Sequence, residues 1–253
     1  DTAGHVLLEA GDSIGTNANR IEMANVSKLA GQTLNTNGVQ GDIWLRKLGA
    51  TDALEVGTVR EVQGTNLSTE WDNALNNSVA ATNDAKATLV GLTSANNGNI
   101  TLTTLGGNLT VSQGISANGT GFIDLRTAST NADGQIILAN SGTVDNTGGE
   151  RATAGAAADA GKLTSGTGTV QLIAGTSITT TSATNTSTEI DTAGHVLLEA
   201  GDSIGTNANR IEMLNVSKLA GQTLNTNGVQ GDIWLRKLGA TDALEVGTVR
   251  EVQ

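Results

Sequence analysis

Few side chains in this sequence could carry out chemistry, and their types and spacing narrow the choice quickly. His5 and His195 are the only histidines and Cys is absent, which excludes a thiolate zinc site. His5 and Glu9 share one face of an alternating segment, but at about 3.3 Å per residue they lie too far apart for a proton relay. Glu9 with Asp12, and Asp124 with Arg126, come nearest to a catalytic pair. A polysaccharide-cleaving site would need several acids or a metal, plus a basic residue, converging in one groove. Here 25 acidic and 14 basic residues are spread over 253. The expectation is a protein that is not an enzyme, with no catalytic, cofactor-binding or metal-site residues. An isolated calcium ion at a turn, near Asp133-Gly134 or Gly148-Gly149-Glu150, is the one cofactor these residues allow; neither a GGxGxD nonapeptide nor an EF-hand loop is present. Thr101-Leu102-Thr103 and Thr179-Thr180-Thr181 carry the T-x-T of an ice-binding face. The neighbouring strands hold Asp124/Arg126 and Gln135/Ile137 instead, so threonine strand propensity and cross-strand contact account for them.

Trp44 is the most informative single residue. Aromatics make up 2% of the chain, namely Trp44, Trp71, Trp234 and Phe122. In Ile43-Trp44-Leu45-Arg46, alternation sends Ile43 and Leu45 inward and Trp44 and Arg46 outward. An outward Trp is covered by a nearby excursion, sits in an interface, or serves as a platform for a sugar ring. The segment that follows, 64–90, carries Trp71 and is the expected local cover. The candidate interface residues are Trp44 and Arg46, with their copies Trp234 and Arg236.

The elements that must position these residues are β-strands. There are 33 Gly, no Pro and no Tyr. No run approaches the roughly 18 apolar residues of a membrane-spanning helix. Alternating apolar residues mark strands at His5–Glu9, Asp42–Arg46, Leu54–Val56, Asn99–Thr103, Leu109–Val111, Phe122–Arg126, Gln135–Ala139, Val170–Ala174 and Ser177–Thr181. Turn signals separate them, such as Asn37-Gly38, Asn97-Gly98, Gly106-Gly107 and Asn118-Gly119. The strong strands restart roughly 20–26 residues apart, the length of one coil of a parallel β-helix. The missing Pro suits strands paired on both sides, since each needs its N–H. An antiparallel sandwich or barrel would use the same strands but would not repeat in this way. Ile100, Leu102, Leu109, Val111, Ile123, Leu125, Ile136, Leu138, Val170 and Leu172 are the expected interior. Two stretches break the beat. One predicts a short helix over 68–80, with Trp71, Leu75 and Val79 on one stripe and Ser68 as N-cap. The other, 150–164 with the run Ala152–Ala160, reads as a short helix or a loop excursion.

Residues 191–253 repeat residues 1–63 with one change, Ala24 to Leu214. The chain therefore holds one full 190-residue unit, 1–190, and the first third of the next, 191–253, as a window cut from a tandem array. At about 4.8 Å per coil and roughly seven to nine coils, one unit should span on the order of 35–45 Å. The net charge of −11 disfavours nucleic acid and anionic membranes as partners.

GNITLTTLGGNLTVSQGISANGTGFIDLRTA (98–128), GTGTVQLIAGTSITTTS (166–182), HVLLEAGDSIGT followed by NRIEM, and DIWLRKLGATDALEVGTV (42–59) together resemble the repeats of large secreted exoproteins of the filamentous haemagglutinin type. The resemblance covers most of the chain outside the two excursions. It implies a right-handed parallel β-helix, extracellular or on a bacterial cell surface, acting as an adhesin or structural filament. Many such proteins leave the cell through an outer-membrane partner. The expected function is a non-enzymatic fibre or adhesin stalk whose partners are neighbouring copies of itself, a surface polysaccharide or another cell. A carbohydrate-binding adhesin is the alternative, ahead of a polysaccharide-cleaving enzyme.

The tandem reading makes a prediction at the level of the gene. Gln63 is followed by GTNLSTEW, so the codons after Gln253 in the parent gene should encode a near copy of that segment. Sequencing past this point checks it; a stop or an unrelated sequence there refutes the array.

Overall fold

The computed structural model describes residues 4–49, 52–60, 88–139, 160–181, 187–228, 230–239 and 243–252. All regular structure among them is β. The first copy of the repeat contributes β1 (His5–Ala10), β2 (Ile21–Ala24), β3 (Lys28–Thr33), β4 (Ile43–Leu48), β5 (Leu54–Val56) and β6 (Thr58–Arg60). The middle of the chain forms β7 (Thr88–Val90), β8 (Leu92–Ser94), β9 (Ile100–Thr104), β10 (Leu109–Val111), β11 (Ile115–Ala117), β12 (Ile123–Thr127), β13 (Ile136–Leu138), β14 (Leu163–Ser165), β15 (Val170–Ala174), β16 (Ile178–Thr180) and β17 (Ile190–Thr192). The second copy adds β18 (His195–Ala200), β19 (Ile211–Leu214), β20 (Lys218–Thr223), β21 (Leu235–Lys237) and β22 (Glu245–Val246).

From β9 to β17 the chain repeats one long strand and two short ones. These long strands lie in an eight-stranded sheet of order β2-β4-β9-β12-β15-β18-β20-β22. The short strands, with β1, β3, β5, β8, β19 and β21, form a twelve-stranded sheet. Every pairing in both sheets is parallel; only β6 and β7 pair antiparallel.

The register explains the composition. In the eight-stranded sheet, Ile43, Ile100, Ile123, Val170 and Val196 stand directly above one another, as do Leu45, Leu102, Leu125, Leu172 and Leu198. The short strands stack Leu54, Leu109, Ile136 and Ile178 in one column, and Leu92, Ile115, Leu163 and Ile190 in another. All of these side chains are fully buried in one continuous core. The ten residues expected inside are each 0% exposed. Strands over Lys28–Thr33, Leu92–Ser94, Ile115–Ala117, Leu163–Ser165 and Ile190–Thr192 were not expected. Four of them carry a single large apolar residue followed by small or polar ones, so no alternation shows, and Gly31 interrupts the fifth. The helix expected over 68–80, and the run Ala152–Ala160 apart from Ala160, lie outside the described residues.

The two copies share their local structure. The pairing of β1 with β3 matches that of β18 with β20 residue for residue, and β2 with β4 matches β19 with β21. Asn25 and Asn215 both turn at positive φ, 61° and 63°. A Cβ on Gly15 or Gly205 would fall 2.6 Å or 2.5 Å from the carbonyl oxygen of Trp44 or Trp234, a clash that excludes any other residue there. Ala24 and Leu214 are both half-buried at strand ends, which fits the outward placement expected for the one position that differs.

The copies differ in which sheet they enter. β1 and β3 belong to the twelve-stranded sheet, whereas β18 and β20 belong to the eight-stranded one; β2/β4 and β19/β21 are exchanged in the opposite sense. The exchange originates at β3. Its first half pairs with β5, through Lys28 with Glu55 and Leu29 with Val56, and its second half pairs with β8, through Gly31 with Leu92. One long strand thus stacks on two short ones. Between those two the chain leaves the ladder at Gly57 and returns at Gly91, whose N–H donates to the Gly57 carbonyl at 2.9 Å. Val59 and Leu89 of the departing strands pack on Leu7 and Ala30.

Five pairings separate β2 from β18, and β1 precedes β2, so one unit advances five to six ladder steps. At about 4.8 Å per step this is roughly 24–29 Å, shorter than the 35–45 Å expected from the sequence. The ladder passes from β4 directly to β9, while β6 and β7 pair only with each other in a separate two-stranded sheet and add no step.

Leu125 lies between Leu102 and Leu172 at 0% exposure. Leu125→Ala should therefore cost about 2–5 kcal/mol. Thr110→Ala, at an outward half-exposed position, should stay within about 0.5 kcal/mol. Chemical denaturation of the two variants against the parent checks both.

Candidate functional site

The outward row of the eight-stranded sheet holds Trp44 together with a run of buried polar residues. Trp44, Thr101, Asp124, Gln171, Leu197 and Ala220 stand in register along it. These positions alternate with the buried Ile and Leu columns, so their side chains lie on the opposite face. Trp44 is nonetheless only 6% exposed. The Arg20 guanidinium sits over its ring at 5.7 Å, and Phe122 meets it edge-on at 6.1 Å. The expected cover came from the segment with Trp71, which lies outside the described residues; Arg20 and Phe122 supply the cover seen here. Arg20 is further fixed by donating to Thr103 at 3.1 Å.

Trp234, the copy of Trp44, keeps the cation contact, with Arg210 at 5.7 Å, but is only half-buried. Arg46 pairs with Glu22 at 3.4 Å, both well exposed. Arg236 pairs with Glu212 at 3.3 Å. Of the four candidate interface residues, Trp44 is thus covered within the chain, while Arg46, Trp234 and Arg236 keep surface.

The candidate catalytic pairs do not converge. His5 and His195 are exposed. Gln32 donates to Glu9, and Asn37 donates to Asp12 at 2.9 Å. Arg126 Nε donates to both oxygens of Asp124 at 2.9 Å. Asp133 accepts from Ser129 at 2.8 Å. No group of three His, Asp or Glu side chains suited to a metal ion occurs among the described residues. A shallow groove of about 280 Å³ has Val90, Thr93, Ser116, Lys162 and Thr164 in its walls; no aromatic ring lines it.

Two buried features escaped the sequence. Lys47 is 0% exposed, in line with Met23 and Thr104. Its ammonium donates to the carbonyl of Asp52 at 2.7 Å. Burial holds its pKa below the ordinary lysine value, against the opposing pull of Asp52. Strict alternation from Ile43 and Leu45 points to position 47 as inward, but a lysine there is legible only once the nearby carbonyl is known.

The second feature is an acidic pair at the boundary between the copies. Glu189 and Glu212 are each 1% exposed. The Glu212 N–H donates to Glu189 Oε2 at 2.8 Å, and Thr180 and Ser187 donate to Oε1 at 3.0 and 3.2 Å. Burial raises both carboxyls above the usual range; at Glu189 the hydrogen bonds from the Glu212 N–H, Thr180 and Ser187 oppose the rise, and at Glu212 Arg236 opposes it. Glu22, the copy of Glu212, is exposed. The same residue is thus a solvated acid in one copy and a buried one in the other.

No family model matches the chain, and neither does any curated protein or solved structure.

The buried acids set a pH dependence. A carboxyl whose pKa rises on folding leaves the native state holding protons that the unfolded chain has lost. Its contribution therefore favours the fold below the ordinary carboxylate range and disappears as pH rises through the raised value. Asp124, raised chiefly by burial, acts in the same sense. Glu212→Gln should raise the thermal midpoint at pH 7, with the gain shrinking as pH falls to about 4. Calorimetry of this variant and the parent across this range is the check.

Proposed function

We propose that the chain is a segment of a right-handed parallel β-helix, and that it serves as a non-enzymatic structural element, an extracellular fibre or adhesin stalk of tandem 190-residue units. The observation that carries this reading is the ladder itself: unbroken columns of like residues run from the first copy through the middle of the chain into the second, and the two copies repeat the same local pairings. Such a stack buries its backbone groups on both sides of each strand and leaves free edges only at its ends. Its mechanism is mechanical: reach, stiffness and repetition of one surface. The resemblance to haemagglutinin-type exoproteins supplies the bacterial surface as the setting, and the acidic charge of −11 favours a solvated, self-repelling rod.

The exchange of sheets between copies gives the rod a particular display. β1 and β3 of the first copy lie in the twelve-stranded sheet and their copies β18 and β20 in the eight-stranded one. Successive units would then present the same residue, Arg46 in one and Arg236 in the next, from different sheets. Lateral contacts with neighbouring rods or with a cell-surface polysaccharide would recur on more than one face of the fibre.

Electron microscopy of the parent protein tests this. Filaments should show an axial repeat of about 24–29 Å for one unit and about twice that for the pair. Isolated globular particles, or a filament without such a repeat, would overturn the reading.

A further inference from the structure

We propose that residues 248–252 are a clasp by which one repeat unit grips the outer face of the unit before it, and that Asp124, Arg126 and Gln171 form the receiving site. The proposal takes its word "unit" from the tandem reading above; the contacts themselves lie within this chain.

The two copies leave the ladder at the same place. Gly57 donates to the carbonyl of Leu29 at 3.0 Å, and Gly247 donates to that of Leu219 at 3.0 Å. In the first copy Val59 then covers Leu7 and Ala30, the outward residues of β1 and β3. In the second, Val249 is 8% exposed, and Leu197 and Ala220, the copies of Leu7 and Ala30, are half-buried. The outward row does not stop there. In register it passes from Ala220 and Leu197 to Gln171 and Asp124, and the departing segment continues to these residues.

The receiving site reads the backbone as well as a side chain. The N–H of Val252 donates to Gln171 Oε1 at 3.0 Å. Arg126 Nη2 donates to the carbonyl of Val252 at 3.3 Å, and Nη1 donates to Glu251 Oε1 at 2.7 Å. Behind these contacts, Gln171 Nε2 donates to Asp124 at 2.9 Å and Arg126 Nε engages both Asp124 oxygens. Asp124 thus orients the guanidinium, whose remaining N–H groups are left for the incoming segment. Gln171 is 0% exposed and Asp124 3%, values that outward polar residues reach only when something lies across them.

The receiving residues, 124–171, belong to the part of the unit that this chain contains once; the clasp belongs to the second copy. Thr58–Gln63 carries the same sequence, TVREVQ. In an array β1 would sit on the preceding unit's counterpart of β15, as β18 sits on β15 here, and Thr58–Gln63 would meet that unit's Arg126 and Gln171 counterparts. The partner of the site is therefore an extended peptide of the sequence V-R-E-V from the next unit, its glutamate placed on the arginine. Separating two units would require breaking the ladder and this cross-strap together.

Amide hydrogen exchange on the full chain tests the clasp. The Val252 amide should exchange at least about tenfold more slowly than in an unstructured peptide. Gln171→Leu should abolish that protection while the amides of Ile123 and Val196 stay within about twofold of the parent, showing that the ladder persists. Glu251→Gln, at the exposed end of the contact, should raise Val252 exchange several-fold and leaves the buried site intact should Gln171→Leu disturb it. Exchange of Val252 at the free-peptide rate in the parent chain, or protection untouched by either variant, would overturn the clasp. Because the measurement stays within one chain, a failed filament repeat leaves its result standing, and the converse also holds.

Discussion

From β4 through β9, β12 and β15 to β18, long strands pair in parallel with like residues at the same place, and that constraint governs the rest of the structure. An isoleucine or valine column and a leucine column run through these five strands with every side chain buried. Close packing leaves little tolerance for a change of even one methylene. A ring fits nowhere in such a column, and the described aromatic side chains stand outside it: Trp44 occupies the outward row, and Phe122 precedes β12 and packs on Trp44. Strands bonded on both sides need every N–H, which accounts for a chain of this length without proline.

The corners between strands follow from the same ladder. A turn that repeats one step above another leaves backbone N–H groups facing the turn below. Asp42 accepts from the N–H of Asn99, Asn99 from that of Phe122, and Asn108 from that of Gln135. Thr33 and Thr127 accept in the same way from Ala95 and Gly175. Short polar side chains that reach a neighbouring backbone suit these positions. The abundance of Asn and Thr is thus a requirement of stacking, and Lys47 uses a corner carbonyl to the same end.

What is stacked on a residue matters as much as its identity. Ile43 is 0% exposed and its copy Ile233 43%; Val56 is 0% and Val246 78%. Trp44 is covered by Arg20 and Phe122; Trp234 has Arg210 over its ring and no aromatic contact among the described residues. Glu212 lies buried against Glu189, while Glu22 pairs with Arg46 in the open. In a tandem protein the chemistry of a residue therefore belongs to the junction it forms. The same logic places the acidic pair and the cross-strap over Gln171 near the boundary between copies, where the sequence itself repeats.

The sequence by itself determined where the long strands other than β3 and its copy β20 lie, which of their residues face inward, where the chain turns and that it repeats. Those are local properties: alternation has a period of two residues, and Gly and Asn mark positive φ within one or two positions. Tertiary structure alone decided which strand pairs with which. Many strands here carry interchangeable patterns of Ile, Leu and Val, so the pattern does not name the partner. For that reason β3 stacking on both β5 and β8, the exchange of sheets between identical copies and the short rise per unit were not legible. The strands starting at Leu92, Ile115, Leu163 and Ile190 were missed because each has one large apolar side chain and no period, unlike Leu54–Val56 and Leu109–Val111. Trp44 was legible as outward but not as covered, since Arg20 and Phe122 reach it from other levels of the stack. Glu189 and Glu212, 23 residues apart in the chain, become a buried pair only because one step of the ladder brings position 212 beside position 189.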